Sequence, residues 1–282
     1  MSPGSTPILL LHGSWHGAWC WTEVIAHLVA YGRPALAVDM AGHGLRARRP
    51  ECLSVRPFDP EELATEVSPV ADVHLDQAAD LLVSQIRLLG RGGGVTVVAH
   101  SMGGVVLTRA AQRVPELMAH AVYLAAIMPA SDSPADRYFA RPENADALVL
   151  SALRGDPEVT GALRLDLASN DPAYRQQLRD AFYADLAPVV ADAALGLLTP
   201  DAPVGMMRDT TRLTRGGWGS VPRTYVVCTR DMAIRPALQR VLIAEADAAF
   251  PENPTSVVTL DSAHAPFLSR PRELAEIVGG LG

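Results

Sequence analysis

The chain contains no lysine: its 24 basic residues are all arginine, set against 31 acidic ones, and the formal net charge is -7. An acidic balance repels polyanions, which excludes nucleic acid as a partner. With arginine at every basic position, scattered arginines do not define a binding patch. Cysteine is scarce as well. Cys20, Cys52 and Cys228 are odd in number and far apart, which excludes a disulfide framework and a zinc pattern and reads as reduced thiols of a cytoplasmic protein. No apolar run reaches the length of a membrane span. The opening stretch, Met1 to Pro7, lacks the basic region and apolar core of a secretory leader. There are no internal repeats and no low-complexity segments.

What is present in quantity is apolar. Hydrophobic residues make up 49% of the 282, enough for one large domain with an insertion or for two small ones. The order of elements decides between them. Short β-branched or aliphatic runs at Pro7–Leu11, Arg33–Val38, Thr96–Ala99, Ala121–Ile127, Arg223–Thr229 and Ser256–Leu260 alternate with stretches of helical spacing. That alternation predicts an α/β fold with a mostly parallel open sheet and helices on both faces. Pro129–Gly219 shows helical stretches and no strand pattern, so it is expected to be a helical cap. The sheet domain would then comprise residues 1–128 and 220–282, with the cap over 129–219. Arg46–Val73 carries Pro50, Pro57, Pro60 and Pro69 and reads as a long excursion with a short helix near Pro60 to Val67, placed to cover one side of a pocket entrance.

The chemistry gathers where such sheets place their sites, at the carboxyl ends of the strands. Ser101 stands between a β-branched strand and a glycine-rich helix start, in Ala99-His100-Ser101-Met102-Gly103. A sharp strand-to-helix turn there would push its hydroxyl above the sheet edge. Ala99 stands where such turns usually carry glycine. Asp231 follows the run Val226 to Arg230, and His264 follows the last strand. A serine hydroxyl needs a base to become a nucleophile, imidazole titrates near neutrality, and a carboxylate on the far ring nitrogen fixes the tautomer. Asp132 competes for the acid role from the preceding strand; the regular strand end before Asp231 favours the later residue. The oxyanion donors are expected to be the backbone N–H groups of Ser14 and Met102. Gly13, Trp15, Met128, Met206, Met207 and Trp218 are candidate pocket residues, around a deep apolar cavity with Ser101 as its floor. No metal and no cofactor is called for.

The stretches LLLHGSWHGAWCW, VVAHSMGGVVL, AVYLAAIMPAS and GSVPRTYVVCTRDMAI, the DSAH ahead of the final helix and, more loosely, FYADLAPVVADAALGLLTP resemble the plant methylesterase and hydroxynitrile lyase branch of the α/β-hydrolases and its bacterial relatives. The resemblance implies an α/β-hydrolase fold with a helical cap over an apolar pocket. It implies a serine esterase with Ser101, Asp231 and His264 as triad, Ser14 and Met102 as oxyanion donors, and a small-molecule ester as substrate. A homodimer is compatible with this reading. Lyases of this branch carry a threonine at the position of Gly13 and a lysine at that of Ala265, which ranks lyase chemistry below hydrolysis. A thioesterase or other non-hydrolytic acyl chemistry in secondary metabolism, and a small-molecule receptor with residual activity, are the remaining alternatives.

Overall fold

The computed structural model describes residues 6–281. Residues 1–5, where most of the stretch read as lacking a leader falls, and residue 282 lie outside the described residues. A 6-stranded sheet is built from β1 (Ile8–Leu11), β2 (Ala35–Val38), β3 (Val95–His100), β4 (Met118–Leu124) and, after a long insertion, two further strands at Arg223–Cys228 and Ser256–Leu260. Every pairing in it is parallel. The central strands are mostly apolar because both their faces are covered; β1 (ILLL) and β3 (VTVVAH) are buried at every position. The fold class read from the sequence is the one observed.

The insertion between β4 and Arg223 carries α5 (Pro157–Thr160), β5 (Ala162–Arg164), α6 (Pro172–Phe182), α7 (Pro188–Gly196), β6 (Asp201–Pro203) and α8 (Gly205–Arg208). The sheet strands after it are therefore β7 (Arg223–Cys228) and β8 (Ser256–Leu260), and the sheet order is β2-β1-β3-β4-β7-β8. The chain leaves β1 for β2 on one side and returns to β3 on the other. Loops that part at such a switch point open a crevice at the carboxyl ends of the strands, here between β1 and β3. The remaining helices pack in pairs: α1 (Thr22–Ala30) lies on α11 (Pro271–Gly279), and α3 (Leu75–Gly90) on α4 (Gly103–Arg113). α2 (Pro60–Thr65) falls in the excursion, α9 (Pro236–Ala249) packs on β7, and α10 (Pro266–Ser269) precedes α11. Among the described residues, no helix is long and apolar enough to cross a membrane.

The structure departs from the sequence reading in three places. β4 runs Met118–Leu124 where Ala121–Ile127 was expected, because the chain leaves the ladder at Ala125 (φ +42°) and Ile127 N–H donates instead to Ser101 O, 3.0 Å. The insertion was expected to lack strands, yet β5 and β6 pair antiparallel, Arg164 opposite Asp201. A ribbon this short has no alternation to read, and β6 ends in a proline. The excursion was expected at the pocket entrance; it docks on this ribbon instead. Ser68 N–H donates to Thr160 O, 2.7 Å, and Arg164 donates to Leu63 O, 2.7 Å, and Glu66 O, 2.8 Å.

Arg164 also forms a bidentate pair with Asp201, at 2.7 and 2.8 Å, with both side chains essentially unexposed. Removing one partner of a buried pair strands the other charge. Arg164→Ala is expected to cost about 3–5 kcal/mol of stability, measured by urea unfolding. A change of under about 0.5 kcal/mol, the size typical of a surface substitution, would show that the ribbon does not depend on it.

Candidate active site

The turn after β3 is tight because its neighbours are small. Ser101 sits at φ +54°, the left-handed region that non-glycine residues rarely occupy. Strain of this kind persists where the surroundings hold it, and it clusters at functional positions. A Cβ on Gly103 would stand 2.5 Å from His12 O, and one on Gly104 2.4 Å from Ile127 O, so the helix start passes against the loops after β1 and β4 only as glycine. Gly13 occupies the same kind of position: a Cβ there would meet Ser101 Cβ at 2.5 Å. Ala99 fits without a glycine. It lies in register with Leu11 on one side and Tyr123 on the other, fully buried.

Ser101, Asp231 and His264 come together at this turn. His264 Nε2 lies 3.2 Å from Ser101 Oγ, and His264 Nδ1 lies 2.8 Å from Asp231 Oδ2. Asp231 is buried, and its other oxygen accepts the N–H groups of Ala233, 2.7 Å, and Ile234, 2.9 Å. Gln239 Nε2 donates to Oδ2 at 3.2 Å. A carboxylate accepting these bonds is a fixed acceptor, so His264 carries its proton on Nδ1 and leaves Nε2 free to face the serine hydroxyl. Asp132 is elsewhere: it is exposed, at φ +57°, and accepts from the Ser131 hydroxyl, 3.0 Å.

The loop after β1 faces the turn. Ser14 Oγ contacts Met102 Sδ at 3.4 Å. Among the described residues, the backbone N–H groups of Ser14 and Met102 donate to no protein acceptor. The loop is pinned at several atoms. His12 lies 2.8 Å from Gly13 O and accepts Met40 N–H at 3.0 Å. Trp15 sits at φ +63°, and its indole donates to Leu163 O at 2.8 Å. Its carbonyl accepts Thr199 N–H at 2.8 Å.

Above Ser101 lies a narrow cavity, lined mostly by apolar side chains. Ser14, Trp15, Ser101, Met102 and His264 line it on the side of the sheet domain, with Ala233 and Ile234, and Phe139, Val149, Leu150, Leu153, Leu163 and Phe182 line it from the insertion. Of the pocket candidates read from the sequence, only Trp15 lines it. Gly13 lies beneath Ser101 and presents backbone. Met128 and Met206 are buried in the core. Met207 lines a second cavity with Val204 and Arg208. Trp218 lies elsewhere, its indole donating to the Tyr123 hydroxyl at 2.7 Å and its ring covered by Phe250 and the Arg223 guanidinium. No segment of Arg46–Val73 lines the Ser101 cavity. The wall residues were missed because they come from irregular segments with no period to betray an inward face. Phe182 alone had a signal, as the first residue of the FYAD stretch.

Histidines crowd beneath the site. His16 stacks on Trp19 and meets His100 edge-on, and the His100 ring lies 4.4 Å from that of His264. Burial is the largest cause that holds His16 down to about 3 and His43 to about 4, with His12 and His100 also well below 6.5. These rings are neutral when folded and take up a proton near 6.5 when the chain unfolds. Their contribution to stability is therefore complete above pH 6.5 and is lost as pH falls from there toward 4 and 3. The slope is about 1.4 kcal/mol per pH unit for each group. The melting temperature is expected to fall steeply below pH 6.5, with proton uptake on unfolding at about pH 5 seen by calorimetry in buffers of different ionisation enthalpy. A melting temperature that stays flat down to about pH 4.5 would contradict this assignment.

The family model described as "Alpha/beta hydrolase family" matches residues 8–277. Among curated proteins, the esterase PIR7B of Oryza sativa subsp. japonica is 31% identical over 96% of this chain and 93% of its own length. Methyl jasmonate esterase 1 of Vitis vinifera is 27% identical over 94% of this chain and 92% of its own. Among solved structures, a pyrethroid hydrolase, PytH, superposes with a TM-score of 0.74 at 22% identity, covering 97% of this chain and 96% of that one.

Proposed function

The chain belongs to the alpha/beta hydrolase family, and on that premise we propose that it hydrolyses a carboxylic ester of a small, largely apolar molecule through an acyl-enzyme on Ser101. Its curated relatives are named esterases and methylesterases, and the chain is a carboxylic ester hydrolase. One of them is named for a small-molecule ester, methyl jasmonate. The observation that carries the finer reading is the unbroken run from Ser101 Oγ through His264 to the buried Asp231, at 3.2 and 2.8 Å, opening into an apolar cavity.

The steps follow from the donors and acceptors present. His264 Nε2 takes the Ser101 proton as Oγ attacks the ester carbonyl. The negative charge that grows on the carbonyl oxygen meets the N–H groups of Ser14 and Met102. Asp231 faces the imidazolium that forms. His264 then returns the proton to the departing alkoxide, and a water activated by the same ring releases the acid. Met102 N–H also sits at the start of α4, where the helix dipole favours an anion. Residues 129–219 act as a cap, because most of the cavity wall comes from them.

The second cavity shares Phe139, Leu150, Leu153 and Leu163 with the first. These side chains form a partition that limits the length of the ester. Leu153→Ala is expected to raise kcat/KM for long-chain p-nitrophenyl esters about tenfold or more, the scale of a single methylene newly accommodated, with acetate within about twofold of the parent. The same panel tests the function itself. An enzyme that turns over none of these esters would contradict ester hydrolysis, and unchanged chain-length preference in Leu153→Ala would contradict the partition.

A further inference from the structure

The segment that ends α6, Phe182–Asp185, touches the two halves of the proposed catalytic apparatus from the insertion side. We infer that it is a positioning element, with Tyr183 setting the oxyanion loop through His16 and Asp185 setting the loop that carries His264. The inference rests on the triad reading above.

The first arm is a chain of hydrogen bonds. His16 Nδ1 lies 2.8 Å from Ser14 O, and His16 Nε2 lies 2.8 Å from the Tyr183 hydroxyl. A carbonyl only accepts, so Nδ1 carries the ring proton and Nε2 accepts from Tyr183 O–H. Both residues are buried. Burial keeps the ring neutral down to about 3 and holds the phenol protonated, so this order of donors persists through the working pH range. Fixing Ser14 O fixes the plane that follows the Ser14 N–H, one of the two amides proposed to receive the oxyanion.

The second arm is a carboxylate on a loop. Asp185 Oδ2 accepts Ala263 N–H at 2.9 Å, and the Ser262 hydroxyl lies 3.2 Å from the same oxygen. Ala263 is the residue before His264. Asp185 Oδ1 is buried without a partner among the described residues, a cost to folding that a purely structural contact would not require. Arg230 approaches Asp185 only at 3.8 Å and bonds Asp261 at 2.8 Å. Between the arms, the Phe182 ring packs 5.6 Å from Trp15 and 6.2 Å from His264. One short stretch of the insertion thus reaches both loops that must meet at Ser101.

Small misplacements in such a constellation are costly; about 1 Å costs on the order of 100-fold. The test uses the full chain with p-nitrophenyl acetate. Tyr183→Phe, which removes one oxygen, is expected to lower kcat between about 10- and 100-fold, with KM within about twofold. Affinity for an aryl trifluoromethyl ketone, which forms a tetrahedral adduct and so reads the oxyanion site, should fall by the same factor as kcat/KM. Asp185→Val should lose a similar factor in kcat. Asp185→Asn, which keeps an oxygen for Ala263 N–H, should recover most of that loss, and if Asp185→Val fails to fold, Asp185→Ala takes its place beside Tyr183→Phe. Parent-like kcat in Tyr183→Phe and Asp185→Val, or losses confined to KM or to melting temperature, would overturn the inference. A fluorophosphonate label on the parent separates the two readings: no label at Ser101 sinks the triad, whereas a labelled Ser101 with parent rates in the variants sinks only the positioning role.

Discussion

Ser101→Ala is expected to lower kcat for ester hydrolysis by about 10⁴-fold or more while leaving the protein folded. Among the described residues Ser101 Oγ is bonded to His264 alone, so its removal breaks no structural contact. The turn at φ +54° is set by the backbone bonds of Ser101 to Leu124 and Ile127 and by the close approach of Gly103 and Gly104. Alanine inherits that strain and adds none. What survives should be the contribution of Ser14 and Met102, which polarise a bound carbonyl even without a nucleophile. KM should change little. Retention of about a tenth of the parent rate, with the substitution verified, would remove Ser101 from the chemistry.

Asp231→Asn should be nearly as severe, with kcat down about 10⁴-fold, and the hydrogen bonds say why. Oδ1 receives Ala233 and Ile234 N–H, so the amide oxygen of an asparagine must turn to that side. Its NH₂ group then faces His264 Nδ1 and donates to it. The ring proton moves to Nε2, and Nε2 can no longer accept from Ser101. The NH₂ group also confronts the Gln239 donor, so some stability is lost as well. Asp132→Asn should stay within about threefold of the parent, since Asp132 is exposed and bonded to Ser131. Reversed severities would move the acid to the end of β4.

The difference between these two aspartates shows what was legible in the sequence. The strand Arg223–Cys228 closes on the apolar run Val226-Val227-Cys228, so the position of Asp231 past it could be read without the fold. Asp132 also follows a strand, but the chain between Leu124 and Asp132 turns back to brace the elbow through Ile127, a contact no local pattern announces. The parallel sheet was legible because its buried strands are predominantly apolar. The cavity walls were not. Phe139, Leu150 and Leu153 sit in short turns, where inward and outward positions follow no period. Methionine was a poor guide, because a flexible apolar side chain serves core packing more often than a pocket. Long-range polar partners escaped for a similar reason. His16, Tyr183 and Asp185 acquire a role only when the insertion folds back over the loops after β1 and β8. Arg164 was set aside with the other arginines, although it is fully buried and ties the excursion to the ribbon.

The proposed function requires the ester to pass through a covalent intermediate on Ser101. Intact-protein mass spectrometry after brief exposure to p-nitrophenyl acetate or an alkyl fluorophosphonate, followed by peptide mapping, tests it most directly. One adduct per chain, on the peptide holding Ala99 to Gly103 and assigned to Ser101, is the predicted result, with no adduct in Ser101→Ala and a slow one in Asp231→Asn. An adduct on any other residue, or steady turnover with no covalent species under either reagent, would contradict the account.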